Sequence, residues 1–275
     1  MQAADAERAA AAAGLDIEII YAKNNATLQL EQIYRFVNAP QMSRPAAIIA
    51  QPVSGEALAR VARDAAKAGM GWVLLSREAP YADSLRIEYP LLPIAIVTTD
   101  QLEVGRIQGR QFCALLPNGG NVLYIHGPSD TSAALQRTQG MEESIAGAKI
   151  NVKAIFGEWT EASGEQAVIS WLRFTTSQQY RVDLIGAQND AMAVGARKAI
   201  AARRPEWLTL PFTGCDGLPQ GGRRLVDERQ LAATVTVQSN AGRAIDLVAT
   251  HLSTGSRGPG RVTLAPHPYP SELKP

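Results

Sequence analysis

Short apolar runs punctuate the chain at residues 16–21, 46–50, 72–75, 94–97, 121–125, 152–156, 182–186, 209–212 and 232–237. Between most of them, apolar residues recur at i, i+3, i+4 and i+7, as in 26–37, 55–68, 102–116, 132–146, 165–174, 190–202, 220–227 and 241–252. The first pattern fits buried strands and the second amphipathic helices. Strand–helix alternation requires crossover connections, and so a parallel sheet covered on both faces. There are too many such units for one sheet. The expectation is an α/β protein of two doubly wound parallel-sheet domains, dividing near residues 98–101.

The two ends of the chain read differently. Residues 1–14, "MQAADAERAAAAAG", have helix composition and a glycine stop. They lack the basic start and continuous apolar core of a signal peptide. The tail "APHPYPSELKP" is rich in proline and reads as an exposed extended segment.

Composition mainly excludes. Twenty-seven basic and 26 acidic residues are interspersed, giving a net charge of +1, so no nucleic-acid footprint is present. No apolar stretch approaches the ~20 residues of a membrane span. Cys113 and Cys215 lack metal-ligand spacing and read as free, buried thiols, with a disulfide as the lesser option. No G-x-S-x-G, H-E-x-x-H or C-x-x-C occurs, and none of the three histidines stands near a plausible Ser/Asp pair, so no enzyme, metal or cofactor is expected.

Ligands of open parallel sheets bind outside the carboxyl ends of the strands. The residues there are Gln51, Ser76-Arg77, His126, Gln188-Asn189-Asp190, Cys215-Asp216-Gly217 and Gln238, with Trp159 in a short loop. Amides, carboxylates and a guanidinium can donate to and accept from clustered hydroxyls in fixed geometry. Trp offers an apolar face to the C–H side of a sugar ring. Phosphate cradles are absent: neither a P-loop nor a dinucleotide glycine pattern occurs. At the end of run 182–186, Asp190 reads as the N-cap of the following helix.

"AQNDAMAVGA", "TGCDG", "ATVTVQ", "SAALQRTQG" and "IIAQPVSGEALA" together, in this order, resemble the type I periplasmic sugar-binding proteins, the ribose-binding-like substrate-binding components of sugar ABC transporters. The same fold forms the effector domain of LacI-type repressors. The resemblance spans about residues 2–264. It implies two domains joined by a hinge: residues 1–100 with 239–259, and 101–238 with 260–275. It implies that Asn189 binds ligand, Asp216 takes two neighbouring hydroxyls, Arg137 donates to hydroxyls or a ring oxygen, Gln238 sits at the hinge crossing and Trp159 stacks. Gln51 stands where an Asn is usual. Arg77 matches the arginine of an Asp-Arg pair, but Ser76 replaces the carboxylate, which puts the usual pentose or hexose specificity in doubt. The family's first strand and its following loop have no counterpart here. The expectation is a natural polypeptide extended upstream by a signal peptide and that strand, and a monomer once the strand is in place.

Plainer readings stand beside each assignment. Trp159 could be a partly buried surface aromatic, Arg137 a solvated helix residue, and Asp216 a turn residue before Gly217. His126 reads as a satisfied core or loop histidine. The leading functional expectation is a non-catalytic periplasmic receptor that closes on a sugar or polyol and docks to a membrane permease for import. The alternative is the effector or sensor domain of a LacI-type regulator, or of a chemosensory or kinase system.

Overall fold

A computed structural model describes residues 2–53, 57–77 and 79–273, with the backbone alone at residues 176 and 178. In chain order the elements begin with α1 (Gln2–Ala13), α2 (Ala26–Val37), β1 (Ala47–Ala50), α3 (Ala59–Lys67), β2 (Gly71–Leu75), α4 (Tyr81–Glu88) and β3 (Ile94–Thr99). Next come α5 (Gln101–Leu115), β4 (Gly120–His126), α6 (Ser132–Ile145), β5 (Ile150–Phe156), α7 (Glu161–Leu172), α8 (Thr175–Gln179), β6 (Leu184–Ala187) and α9 (Asp190–Arg203). The chain continues with β7 (Phe212–Thr213), α10 (Arg224–Asp227), β8 (Thr234–Thr236), α11 (Asn240–Thr254), β9 (Arg261–Leu264) and β10 (His267–Tyr269). Residue contacts divide it into two units: unit 1 is 2–99 with 238–264, and unit 2 is 100–237 with 265–273.

Unit 1 is a parallel sheet in the order β1-β2-β3-β9. Its central strands show why continuous apolar runs were needed. Trp72, Leu74, Ile94 and Ile96 pack on one face with side chains of α2, α3 and α4. Val73, Leu75, Ala95 and Val97 pack on the other with Ala241, Ala244, Leu247 and Val248 of α11. Each valine, leucine or isoleucine side chain among these, taken fully out of water, contributes roughly 1.5–3 kcal/mol.

Unit 2 repeats the plan with the order β5-β4-β6-β7, again parallel. Leu123 and Ile125 face a core built with α7 and α9. Val122 and Tyr124 face Phe112 of α5 and Met141 of α6. Strand β8 joins through parallel bridges from Thr213 to Ala233 and from Asp216 to Thr236.

Several sequence expectations need correction. Residues 16–21 form no strand, because no neighbouring strand among the described residues gives them a ladder. Run 209–212 shrinks to β7: residues 205–209 coil into a 3-10 turn, and Pro211 has no N–H to donate. The second domain does not resume at 260, since Arg261–Leu264 pairs with β3 in unit 1. The tail is not free: β10 pairs antiparallel with β8. Helix 165–174 starts earlier, at Glu161. Cys113 is partly exposed, while Cys215 is buried; both are free thiols. Residues 54–56 of "IIAQPVSGEALA", with the start of the helix expected at 55, lie outside the described residues, as do 1, 274 and 275.

Helix α1 ends as its glycine suggests. Gly14 takes a left-handed φ of 65°, and the N–H groups of Gly14 and Leu15 return to the carbonyls of Ala11 and Ala10. Its other end caps a different helix. Gln2 Oε1 accepts from the Ser239 hydroxyl and the Ala241 N–H, and Asp5 Oδ2 accepts from the Gly242 N–H at 3.0 Å. The orphan donors of α11 are thus met from α1, next to the crossing at 237/238. Asp5→Ala is expected to lower the unfolding free energy by about 1 kcal/mol, as the loss of an N-cap does; urea titration measures it.

Candidate functional site

At the end of β6 the chain turns directly into α9, and two consecutive residues share the work in the reverse of the expected order. Asn189 is the N-cap: its Oδ1 accepts from the Met192 N–H at 2.8 Å. Its Nδ2 donates to the carbonyl of Trp159 at 2.8 Å. Asp190 is not the cap. Its carboxylate is buried, with Oδ1 accepting from the Thr234 hydroxyl at 2.6 Å and Oδ2 from the Gly217 N–H at 2.8 Å. The expected assignment fails because the cap must be extended, and Asn189 is the residue with extended backbone (φ −149°, ψ 165°).

Asp190 thereby shapes the loop after β7. A Cβ at Gly214 or Gly222 would meet its carboxylate oxygens at 2.2 and 2.1 Å, so both positions need glycine for space. Within this loop Asp216 has φ 109°, a conformation a side chain adopts only when its surroundings impose it. Here the surroundings are backbone bonds: the Asp216 N–H donates to Val235 and its carbonyl accepts from Val237.

Arg137 comes from α6 and is only 6% exposed. A Cβ on Gly105 of α5 would lie 2.1 Å from its carbonyl oxygen, so the two helices pack backbone to backbone. Its Nε donates to Gln101 Oε1 at 2.8 Å, and its Nη1 to the carbonyl of Gln188. Its guanidinium carbon lies 5.5 Å from the ring centroid of Trp159, a cation–π distance. Trp159 holds φ 62° and lies over Gly127, where a Cβ would come 2.1 Å from the indole.

These contacts bring together three residues expected from the sequence, Arg137, Trp159 and Asn189, and a fourth, Asp216, interacts electrostatically with Arg137 and Asp190. They add two whose roles were not foreseen, Gln188 and Asp190. Gln188 is wholly buried. His126, also buried, pairs its Nδ1 with Thr138 Oγ1 at 3.1 Å, while its Nε2 meets no partner among the described residues. It is therefore only half satisfied.

Burial governs the titration of the cluster. It pushes Asp190 up to about 7; the Thr234 hydroxyl and Gly217 N–H pull the value down, and the Asp216 charge raises it. Burial of the Asp216 carboxyl pushes it up to about 6 against the pull of Arg137, although part of the residue reaches solvent. Burial holds His126 down at about 4, so it is neutral near pH 7. The cluster thus offers guanidinium donors beside an ionisable carboxylate, an aromatic face and an amide. Among the described residues, no cluster of three or more His, Cys, Asp or Glu side chains could hold a metal ion.

The other expected residues belong to unit 1. Ser76 (φ 64°) accepts from Asn240 Nδ2 at 2.7 Å, and Asn240 Oδ1 accepts from Thr99 Oγ1 at 3.5 Å. Asn240 thus ties the ends of β2 and β3 and was not foreseen; its place just after "VQS" was the available signal. Arg77 is partly buried, and Gln51 is exposed, its carbonyl accepting from Gln29 Nε2. Gln238 lines a shallow hollow of about 440 Å³ between α1 and α11, with Asp5, Arg8 and Arg243.

Such paired doubly wound units, with polar side chains at their strand ends, have the fold of the type I periplasmic binding proteins. The chain belongs to the family described as periplasmic binding protein domain, which matches residues 2–256. It is 31% identical over 208 residues to the "Putative rhizopine-binding protein" of Rhizobium meliloti, covering 74% of this chain and 63% of that one. It is 24% identical over 232 residues to the ribose import binding protein RbsB of Salmonella typhimurium, covering 84% and 71%. The chain therefore spans about two thirds of the length of these relatives. Among solved structures, the periplasmic binding component of the arabinose ABC transporter from Shewanella sp. ANA-3 matches with a TM-score of 0.83 at 20% identity, covering 98% of this chain and 87% of that one. A solute-binding protein from Actinobacillus succinogenes with bound D-allose matches at 0.82 and 19%, covering 97% and 91%. At these identities the structures show the fold. No helix among the described residues is long and apolar enough to cross a membrane.

Asn189→Ala removes both the cap of α9 and the anchor of Trp159, and is expected to cost about 1–2 kcal/mol of stability in denaturant titration. For Asp190 the folded chain holds a proton that the unfolded chain releases at the ordinary value of 3.8. Its contribution to stability therefore falls as pH rises from about 3.8 to about 7, and is level above that. The stability difference between the parent and Asp190→Asn should decline across this window in denaturation series at stepped pH. A difference that grows with pH would contradict the burial argument.

Proposed function

We propose that this chain is a non-catalytic receptor for a small neutral sugar or polyol, which it captures in the periplasm and delivers to the membrane permease of an ABC importer. The observation that carries this reading is that the Arg137 guanidinium, held at the Gln188 carbonyl, shares one wall of unit 2 with Asp216, whose loop is tied to Asp190. The guanidinium is buried and held by two neutral acceptors, Gln101 Oε1 and the Gln188 carbonyl, which engage two of its five N–H donors. The carboxylate of Asp216, coupled to it electrostatically, is an acceptor. A donor and an acceptor within electrostatic reach of one another suit neighbouring hydroxyls, each of which can give and take a hydrogen bond. Trp159 supplies the apolar face for the C–H side of the same molecule. The names of the relatives agree in kind: ribose, D-galactose, D-xylose and xylitol appear among them.

A compound without hydroxyls would leave these buried groups unmet, at a cost of about 1–3 kcal/mol each. Discrimination by hydroxyl pattern follows from that cost.

Calorimetric titration with pentoses, hexoses, inositols and linear polyols tests the proposal, with amino acids and peptides as contrast. At least one polyhydroxy compound should bind, and Asp216→Ala should weaken it on the order of 100-fold. Affinity should also rise as pH rises through about 6, where Asp216 becomes the ionised acceptor. Binding confined to amino acids or peptides would reject the reading.

A further inference from the structure

We propose that Gln188 is a positioning residue: without touching the ligand, it sets the aim of Arg137 and the seat of Trp159, and so governs which hydroxyl stereochemistry is accepted. The proposal rests on the reading of the unit 2 cluster as a hydroxyl site.

The Gln188 amide is wholly buried, and its hydrogen bonds fix its orientation. Oε1 accepts from the Gly127 N–H at 2.8 Å, so the other end must be the NH₂. Nε2 donates to the carbonyl of Ala134 at 3.1 Å and to Thr138 Oγ1 at 3.0 Å. Thr138 spends its own hydrogen on the Ala134 carbonyl at 2.9 Å. Thr138 Oγ1 is thus an acceptor toward Gln188 and toward His126 Nδ1, and the proton of the neutral imidazole lies on Nδ1. A carboxylate at 188 would lack the two donors, and an apolar side chain would lack everything.

Each of these bonds ends on a segment that carries a site side chain. Ala134 and Thr138 lie on the turn of α6 that carries Arg137. Gly127 lies directly under the Trp159 ring. The carbonyl of Gln188 itself accepts from Arg137 Nη1, and the next residue, Asn189, holds the Trp159 carbonyl. One side chain therefore joins the end of β4, the first turns of α6 and the end of β6. Buried hydrogen-bond networks of this kind are rigid when fully satisfied. Binding geometry depends on such support, because side chains facing a ligand are only as well placed as what holds them.

The test uses the full chain with three substitutions. Gln188→Glu keeps the shape and the acceptor for Gly127; Gln188→Met keeps the approximate volume and no hydrogen bond; Thr138→Val breaks the same network from α6. Two readouts are taken on every variant that unfolds cooperatively. One is the ratio of affinities between the preferred sugar or polyol and its epimers. The other is the Arg137 Nε–H resonance in nitrogen-15 NMR without ligand, protected in the parent by Gln101. The expected result is at least a tenfold loss of affinity for the preferred compound in the Gln188 variants, with the epimer ratio compressed at least fivefold and the Arg137 resonance broadened. Thr138→Val should show the same change at about threefold. Unchanged ratios and an unchanged Arg137 resonance in folded variants overturn the role of Gln188 alone, even if their melting temperatures fall. A parent that binds no member of the panel overturns the hydroxyl reading, and the selectivity role with it.

Discussion

A buried carboxylate, that of Asp190, is the constraint on which the strand-end wall of unit 2 depends. Its two oxygens are satisfied by different segments, the Thr234 hydroxyl of β8 and the Gly217 N–H of the loop after β7. Its own N–H donates to the carbonyl of Cys215 at 2.6 Å. Removing a charge from water is expensive, and the displaced titration of Asp190 registers that expense. A loop with few ladder bonds and two successive left-handed residues, Asp216 and Gly217, would otherwise have little to fix it. The carboxylate supplies the fixed point.

Once that loop is set, the position of Asp216 follows, and with it the electrostatics of the site. The Asp216 charge raises the cost of ionising Asp190, while Arg137 lowers that cost for both carboxylates. The guanidinium is thus a counter-charge shared by two carboxylates, yet its hydrogen bonds in unit 2 go to neutral oxygens of Gln101 and Gln188. Attraction without direct bonding would keep both the cation and Asp216 available to the polar guest of the proposed function. A tight ion pair would have consumed the geometry that a hydroxyl pair requires.

Much of the fold was legible because strands buried on both faces must be continuously apolar, as Trp72–Leu75 and Ile94–Val97 are, and because helices that cover them must be periodic. What escaped had weaker physics behind it. Helix α4, "YADSLRIE", is short and follows a proline; β10 contains a proline and is recognisable only by the strand it meets. For the site, residue type at strand ends pointed to Asn189 and Asp216, with Trp159 in a short loop, whereas Arg137, inside a helix, was legible only through the family resemblance. The exchange of roles between Asn189 and Asp190 was not legible. Both are good N-caps, and only the partners, Met192 on one side and Thr234 and Gly217 on the other, decide which residue caps. The role of Gln188 was hidden for a related reason: an amide at a strand end looks like a ligand contact or a loop residue, and its partners Gly127, Ala134 and Thr138 lie 50 or more residues away in the chain.

Amides recur around this wall, and their arrangement follows from the sheet itself. Where a parallel ladder ends, strand carbonyls lose their partners, and burying them unpaired is costly. Helix α5 meets that cost with two glutamines, and a third serves Arg137. Gln108 donates to the carbonyls of Ala187 and Gly214, Gln111 to that of Thr234, and Gln101 accepts from Arg137. Tyr124 closes the set by donating to Gln108 Oε1 at 2.7 Å. The ends of β6, β7 and β8 are therefore held by side chains of one helix, with no call on a ligand for their order. Preorganisation of this kind lowers the entropic cost of binding. Under the proposed function it also confines recognition to the few groups left over, the remaining donors of Arg137 and the carboxylate of Asp216, so that selectivity in unit 2 would rest on how firmly those two are aimed.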